Sequence, residues 1–286
     1  MLGSSGRFGV RILGTAAGAL LALNGCASIV KKPEINTVTK VAVLSLYANQ
    51  TVPEEKGRGV VTQWDNAFRM EVAENALHAV EQELANKMNW EVVPGQTVIQ
   101  SPAYQEAFAP KANTSSEGLN KAMGMFAKVV QQGHDARFFT PPGMHPILLH
   151  GEKGQSSSCW GNNCPPDPKT RLAELAKQLG VDAVVVVQLD YCYGGGTWSL
   201  GGTGEAKMTA GTAIRAVSKD GQMIVDMNDV PKCAGDNRAQ SENSMFMNGG
   251  DLVFITAGRE KMRNMFVQAT QSSMGRAVAQ VQAAMK

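Results

Sequence analysis

The chain has 286 residues, of which 43% are hydrophobic and 18% are charged, a composition typical of a folded protein with one or two domains. Its net charge of +2 comes from 27 basic and 25 acidic residues, and residues 1–25 hold Arg7 and Arg11 but no acidic residue. The rest of the chain is therefore neutral and has no long-range field to attract polyanions, which argues against nucleic acid as a partner.

The N-terminus has the organisation of a bacterial export signal. Two arginines precede an apolar stretch, residues 12–23, which is too short to span a bilayer, since a spanning helix needs about 20 residues. The stretch runs into Leu23-Asn24-Gly25-Cys26. This ending resembles the lipobox of bacterial lipoproteins, in which the thiol takes a diacylglycerol, the peptide is cut before the cysteine, and the new amine is acylated.

The lipobox resemblance implies an address and an anchor. Residues 1–25 would be the signal peptide, and residues 26–37 would be a short tether to the folded domain. Because Ala27 and not an aspartate follows Cys26, the resemblance implies the periplasmic face of the outer membrane, with the lipid bilayer bound through acylated Cys26. Two or more acyl chains anchor a protein stably, whereas one holds it only marginally. The alternative is an ordinary signal peptide cut near Ala27 or Ser28, in which Cys26 has no role.

After the tether, the sequence predicts a β-α-β unit. Residues 39–47 form a β-rich apolar run, and residues 65–88 carry an apolar face at helical spacing. Residues 90–93 predict a short second strand, which Pro94-Gly95 ends.

The second half of the chain predicts an α-β-β-β-α order. Asp167-Pro168 is typical of a helix start, and Gly180 of its end. Residues 182–190 are rich in β-branched side chains, as expected for a strand buried on both faces at the centre of a sheet. The later elements are a β-hairpin of residues 208–216 and 223–227, a polar Asn-rich segment, and a terminal helix from Asp251 or Thr256 to Ala284.

Two irregular segments are candidate contact surfaces. Residues 109–167 predict an insertion with one helix at 118–132, and long irregular segments of this kind are often functional. The second segment is the glycine-rich loop 194–204. Around them, the pattern predicts a single α/β domain over residues 38–286, a sandwich of two or three layers with a mixed sheet. We expect the helices to pack on one face of that sheet.

Four cysteines remain after the predicted cleavage. Their even number in an oxidising compartment predicts two disulfides, for which sequence allows three pairings. We favour Cys159–Cys164, which brackets a short turn, and Cys192–Cys233, which links a predicted strand to a later segment. The alternative is a metal site formed by Cys159 and Cys164 with His145 or His150, for which a lone C-x4-C is a weak signal.

Several of these features together resemble a domain shared by three groups of envelope proteins. The first features are the lipobox and the early Val41-Ala42-Val43-Leu44 strand. The others are the sequence that runs from Arg171 through Gly180 into the buried strand, the hairpin and the terminal helix. The groups are the curli-secretion (CsgG-like) lipoproteins, the lipoprotein activators of penicillin-binding proteins, and the N-terminal domain of TolB. The resemblance covers residues 38–93 and 167–285 and implies a non-enzymatic assembly factor, often oligomeric, that contacts other envelope proteins. The prolines and scattered charges of residues 138–154 differ from the pore-forming members, so we expect no pore.

Motifs for catalysis or cofactor binding do not emerge. The glycine-rich loop lacks the Gly-Lys-Ser/Thr of a phosphate cradle, and Ser199 lacks the first glycine of G-x-S-x-G. The four histidines form no His-Glu-x-x-His. The sequence therefore predicts no catalytic residue, no cofactor and no metal, and a scaffolding or accessory role in the envelope. The alternatives are an exported hydrolase that uses Ser199 with a histidine of the insertion, and a periplasmic ligand-binding module with a deep apolar pocket near the insertion.

Overall fold

The computed structural model describes residues 29–49, 66–108, 138–147, 168–194, 203–229, 239–248, 253–254 and 259–286. The predicted signal peptide, the predicted helix 118–132 and Ser199 lie outside these ranges. Cys26, Cys159, Cys164 and Cys233 also lie outside them.

The described elements alternate between strands and helices and then end in a run of strands and one long helix. The strands are β1 (Ile29–Val30), β2 (Lys40–Asn49), β3 (Glu91–Val93), β4 (Phe138–Phe139), β5 (Ala183–Gly194), β6 (Thr203–Ser218), β7 (Met223–Asp229), β8 (Ala239–Asn248) and β9 (Val253–Phe254). The helices are α1 (Lys32–Ile35), α2 (Asn66–Met88), α3 (Gly95–Gln100), α4 (Pro102–Phe108), α5 (Pro168–Gln178) and α6 (Arg259–Met285).

The strands form one mixed sheet in the order β1-β7-β6-β5-β2-β3. β2 runs parallel to both β3 and β5, whereas β5 pairs antiparallel with β6, and β6 with β7. β8 continues along β6 beyond β7, and β4 pairs with the end of β2. The predicted α/β class with a mixed sheet is confirmed. β5 lies between β2 and β6, where its β-branched run predicted a central strand.

Helices cover both faces of the sheet, so the fold has three layers. On the first face, α2 and α6 pack over alternate residues of β2, β5 and β6. On the second face, α3, α4 and α5 pack over Ala42, Leu44, Val184 and Val217. The expectation that the helices share one face is therefore wrong. A strand that is apolar on both sides needs a cover on both sides to remove it from water.

Two elements of the second half differ from the sequence prediction. The segment that follows β7 was predicted as polar and irregular, but residues 239–248 form β8, which pairs with β6. This polar segment forms a strand because it pairs with β6, although its own sequence does not favour one. The terminal helix begins at Arg259, later than either predicted start, and continues to Met285.

β3 ends at Val93, as Pro94-Gly95 predicted. Pro94 precedes α3 directly, and α4 follows after Ser101, so residues 95–108, for which no element was predicted, form two short helices. Gly95 is buried against α2, where an added Cβ would lie 2.5 Å from Leu77 Cδ2. The glycine therefore permits the close approach of α3 to α2.

Residues 29–37, which were predicted to belong to the tether, are part of the fold. Ile29 and Val30 pair with Asp226 and Val225 of β7. Ile35 of α1 is only 1% exposed and belongs to the core of the first face. The tether prediction is wrong from Ile29 onward because two apolar residues were enough to extend the sheet edge.

Local signals predicted the remaining elements well. α5 ends two residues before Gly180, which takes the left-handed conformation (φ 65°) that favours glycine. The β6–β7 hairpin turns through Gly221, which also has a positive φ of 80°. At both positions the positive φ, and not a lack of space, favours glycine.

Buried hydroxyl pairs join α6 to the sheet. The hydroxyl oxygens of Thr212 in β6 and Ser273 in α6 lie 2.6 Å apart. The hydroxyl oxygens of Tyr191 in β5 and Thr270 in α6 are also 2.6 Å apart. All four side chains are fully buried. Because a buried hydroxyl without a partner is costly, these pairs fix where along its length α6 docks.

The Thr212–Ser273 pair can be tested by a double-mutant cycle. Thr212→Val keeps the side-chain shape but deprives Ser273 of its partner, so we expect a loss of about 1–3 kcal/mol in the free energy of unfolding. Thr212→Val combined with Ser273→Ala removes both polar groups, and we expect it to cost less than the sum of the two single variants. Urea unfolding measures all three. Additive losses would contradict a direct interaction between the two hydroxyls.

Candidate functional site

The topology places a candidate site where β2 and β5 end. β2 is followed by α2 on the first face, and β5 is preceded by α5 on the second face, while β3 and β5 flank β2 on opposite sides. The chain therefore changes side between β2 and β5. In open α/β sheets, ligands bind at this kind of switch point, beyond the carboxyl ends of the strands.

The described part of the insertion, residues 138–147, occupies this edge. Phe138 and Phe139 form β4 and pair with Asn49 and Ala48 at the end of β2. Met144 is buried, and its sulfur accepts a hydrogen bond from the Leu46 amide at 3.0 Å. These ten residues of the insertion therefore belong to the domain, because they close the carboxyl edge of the sheet.

Ser45 is the polar residue that fastens this segment. The register between β2 and β5 shifts between Val43 and Ser45, and Ser45 is fully buried. Its hydroxyl donates to the His145 carbonyl at 2.8 Å and accepts from the Ile147 amide at 2.9 Å. The bulge thus gives one side chain a donor and an acceptor contact with a strand-like backbone about 100 residues later.

Tyr104 of α4 completes the attachment. Its hydroxyl accepts a hydrogen bond from the His145 amide at 2.9 Å. Burial raises the pKa of Tyr104 to about 12, so the phenol stays protonated at neutral pH. Between them, Ser45 and Tyr104 bind the amide and carbonyl of His145 and the amide of Ile147.

Aromatic side chains lie along this edge, where His145 is exposed, Phe108 is half-buried and Tyr47 is buried. The imidazole of His145 stacks on Phe108, with ring centroids 5.1 Å apart and an interplanar angle of 10°. Tyr47 donates a hydrogen bond to Gln188 Oε1 at 3.1 Å on the neighbouring strand. Within the described ranges, no three histidine, cysteine or carboxylate side chains stand close enough to hold a metal ion.

The opposite, amino-terminal edge of the sheet has a small open pocket of about 160 Å³, near Thr37, Val38 and Asp182. The Asp182 carboxylate accepts hydrogen bonds from the amide and hydroxyl of Thr39 at 3.0 and 2.8 Å, and from the Lys40 amide at 3.1 Å. Lys219 Nζ lies 3.0 Å away. These donors, led by the Thr39 amide, hold the pKa of Asp182 far below its usual value. The carboxylate ties the starts of β2 and β5 together.

Among the predicted site residues, the described ranges include only Cys192, which lies in β5 opposite Thr209 of β6. The predicted partner Cys233 falls between β7 and β8, and the described ends of these strands, Asp229 and Ala239, pair with residues of β6 close to Thr209. The Cys192–Cys233 pairing stays a prediction, and so does Cys159–Cys164.

Sequence reasoning missed Ser45 and Tyr104. Ser45 does interrupt an apolar strand, and a polar residue within such a run is a usable signal of a buried hydrogen bond. Tyr104 gives no comparable signal, because its role depends on where α4 packs.

No protein-family model matches the chain, and no curated protein matches it significantly. Among the described helices, none is long and apolar enough to cross a membrane.

Ser45→Ala tests the attachment of the insertion. The variant leaves the Ile147 amide without its acceptor, and we expect a loss of about 1–3 kcal/mol in stability. Hydrogen exchange should accelerate at the Ile147 amide more than at the His145 amide, whose acceptor is Tyr104. Thr97→Ala on the exposed side of α3 is the control, with little expected change. An Ile147 amide that still exchanges at the native rate would show that Ser45 does not hold this segment.

Asp182 predicts a pH dependence of stability. Its folded-state pKa lies below the value of about 3.9 for a free aspartate, so its contribution is complete above that value and is lost as the pH falls through the folded-state pKa. At neutral pH we expect Asp182→Asn to lose about 1–2 kcal/mol. The difference from the native chain should shrink in acid. Urea unfolding from neutral to strongly acidic pH measures this, with exposed Asp220→Asn as control. A difference that stays constant with pH would contradict the role of the charge.

Proposed function

We propose that this chain is a lipid-anchored outer-membrane lipoprotein that acts without catalysis as an assembly or scaffolding factor on the periplasmic face. Cys26 would carry the acyl chains, and the domain from Ile29 onward would contact other envelope proteins or a second copy of itself.

The observation that carries this proposal is the position of the lipobox relative to the fold. Leu23-Asn24-Gly25-Cys26 ends the export signal, and β1 begins at Ile29, only three residues after the cysteine. Cleavage before Cys26 would remove residues 1–25 and leave every described element intact. The predicted signal peptide therefore ends just before the described domain begins and does not overlap it.

The switch point supports a role without catalysis. The edge at which a small substrate would be expected is occupied by residues of the insertion, and the polar groups of Ser45 and Tyr104 are engaged with its backbone. The strongly acidic Asp182 is likewise engaged by Thr39, Lys40 and Lys219. These groups serve the fold, which leaves surfaces as the sites of action.

The contact surfaces that we propose are residues 110–166 and the loop 194–204. Residues 138–147, which are the described part of the first surface, and the end of β5, where the second surface begins, both lie at the carboxyl edge of the sheet. The element order also supports the resemblance to the curli-secretion group, since a parallel β2–β5 pair is followed by a hairpin and a terminal helix.

Replacement of Cys26 tests the anchor. In a bacterial host with outer-membrane lipoprotein processing, the native chain should fractionate with membranes, and its mass should show acylation at Cys26. Cys26→Ser should lack the lipid and leave the outer-membrane fraction, because the acyl chains supply the attachment. Cys159→Ser is the matched control and should stay membrane-bound.

The same variants test the scaffolding role. Chemical cross-linking in intact cells should join the native chain to envelope partners or to a second copy, and Cys26→Ser should lose these products. A native chain with an unmodified residue 26, or a Cys26→Ser chain that remains in the outer membrane, would contradict the proposal.

A further inference from the structure

We propose that the carboxyl-terminal half of the second sheet face is the docking surface for residues 148–167 of the same chain, which lie outside the described ranges. We name this half the distal surface. Docking there is internal to the domain and requires no lipid on Cys26, so it goes beyond the proposed function. The side chains that define the distal surface are Gln188, Asp190, Thr209 and Ala213.

Strand alternation assigns the distal surface to the second face. Val184 of β5 and Val217 of β6 belong to the core of that face. Side chains two residues apart on a strand lie on the same side of the sheet, and those of the distal surface are each an even number of positions from Val184 or Val217. The register agrees, since Gln188 pairs with Ala213 directly across the β5–β6 ladder.

The distal surface is shielded from water. Asp190, Thr209 and Ala213 are only 7%, 4% and 2% exposed. A sheet face with nothing over it is solvated, as in antiparallel sheets that have one open side. A further layer of the molecule must therefore lie over these residues.

The helices of the second face stop short of this region. Ala176 of α5 packs in the same cluster as Val184, and α5 extends from there eight residues back to Pro168, about 12 Å at 1.5 Å per residue. Asp190 lies six residues beyond Val184, about 20 Å along the strand. Even an α5 aligned with β5 would therefore begin about 8 Å short of Asp190. α3 lies to the side, over β2, with α4 beside it.

Residues 148–167 leave and rejoin the described structure next to the distal surface. Ile147 packs against Tyr47 and Val186 on the second face, and its amide donates to Ser45 Oγ at 2.9 Å. After twenty residues the chain returns at Pro168, where α5 begins on the same face. Both ends of the segment are thus fixed at the border of the surface.

The segment is long enough to lie over the whole distal surface. From Val186 to Cys192, the partner of Thr209, β5 advances about 20 Å. Ten extended residues span about 33 Å, so twenty residues can cross this distance and return.

Residues 109–137 suit this position less well. They follow Phe108, which packs on the second face, but they end at β4, whose Phe139 belongs to the core of the first face. Their path must therefore pass around the carboxyl edge of the sheet, whereas residues 148–167 begin and end on one side of it.

The composition of residues 148–167 matches the surface. The distal surface combines apolar Ala213 with side chains that form hydrogen bonds, and apolar Val186 lies at its border. The segment combines five serine and asparagine side chains between positions 156 and 163 with apolar Leu148, Leu149 and Trp160. Once docked, the segment has only its outer side left for a partner.

Photo-cross-linking tests the occupant. The full-length chain would carry p-benzoylphenylalanine in place of half-buried Gln188, or in place of exposed Ser272 on α6 as the control. We expect mass spectrometry to find most adducts of position 188 within residues 148–167, and none there from position 272, because α6 lies on the opposite side of the sheet. Adducts of position 188 mainly in residues 109–137, 195–202 or 230–238, or between two copies of the chain, would overturn the proposal.

Carboxyl footprinting tests the docking by removal of the segment. In a chain with residues 150–165 replaced by sixteen Gly/Ser residues, we expect carbodiimide labelling of Asp190 to rise several-fold, while labelling of exposed Asp220 stays constant. The matched control replaces residues 112–127 by the same linker and should leave Asp190 protected.

Circular dichroism checks that both variants fold, and if the first does not, the cross-linking result decides. Protection of Asp190 that survives the first replacement, or that is lost equally in the second, would overturn the docking. The mass of the same chains reports acylation of Cys26 separately, so an unmodified Cys26 would contradict the proposed function alone.

Discussion

Val184 to Val187 of β5 are at most 2% exposed, and this burial on both faces determines the architecture around them. An apolar strand of this kind requires helices on each side of the sheet, which α2 and α6 supply on one face and α3, α4 and α5 on the other. β2 runs parallel to both β3 and β5, so each connection between these strands must return over a face of the sheet. The connection from β2 to β3 contains α2 on the first face, and the connection from β3 to β5 contains α3, α4 and α5 on the second. The switch point at the carboxyl edge is thus a consequence of the buried strand.

Within this core, polar atoms occur where a partner fixes a position that apolar contacts leave free. Apolar packing would tolerate small shifts of α6 along the sheet, whereas the pairs Thr212–Ser273 and Tyr191–Thr270 are satisfied in one register only. Ser45 has the same role for the insertion, because its hydroxyl meets one carbonyl and one amide two residues apart. Apolar packing holds the layers together, and the buried hydroxyls fix how the layers are aligned.

The sequence predicted those elements whose signals lie within the element itself. The buried strand, the helix that ends before Gly180 and the β6–β7 hairpin each carry a periodicity or a turn residue that does not depend on the rest of the chain. The two-sided packing was missed because α3 and α4, with six and seven residues, are too short to show helical periodicity. β8 and β1 were missed because their order comes from neighbouring strands. At the candidate site, the contacts of Ser45 could not be predicted, because they join positions about 100 residues apart. The lipidation of Cys26 was inferred from adjacent residues alone and stays a prediction.

The closed switch point indicates how the domain would act in the proposed role. In an open α/β enzyme the carboxyl edge is an open crevice, but here Met144 and the backbone of residues 145–147 fill it, held by groups that a catalytic site would need free. In the proposed scaffolding role, specificity would then come from surfaces that the fold presents outward.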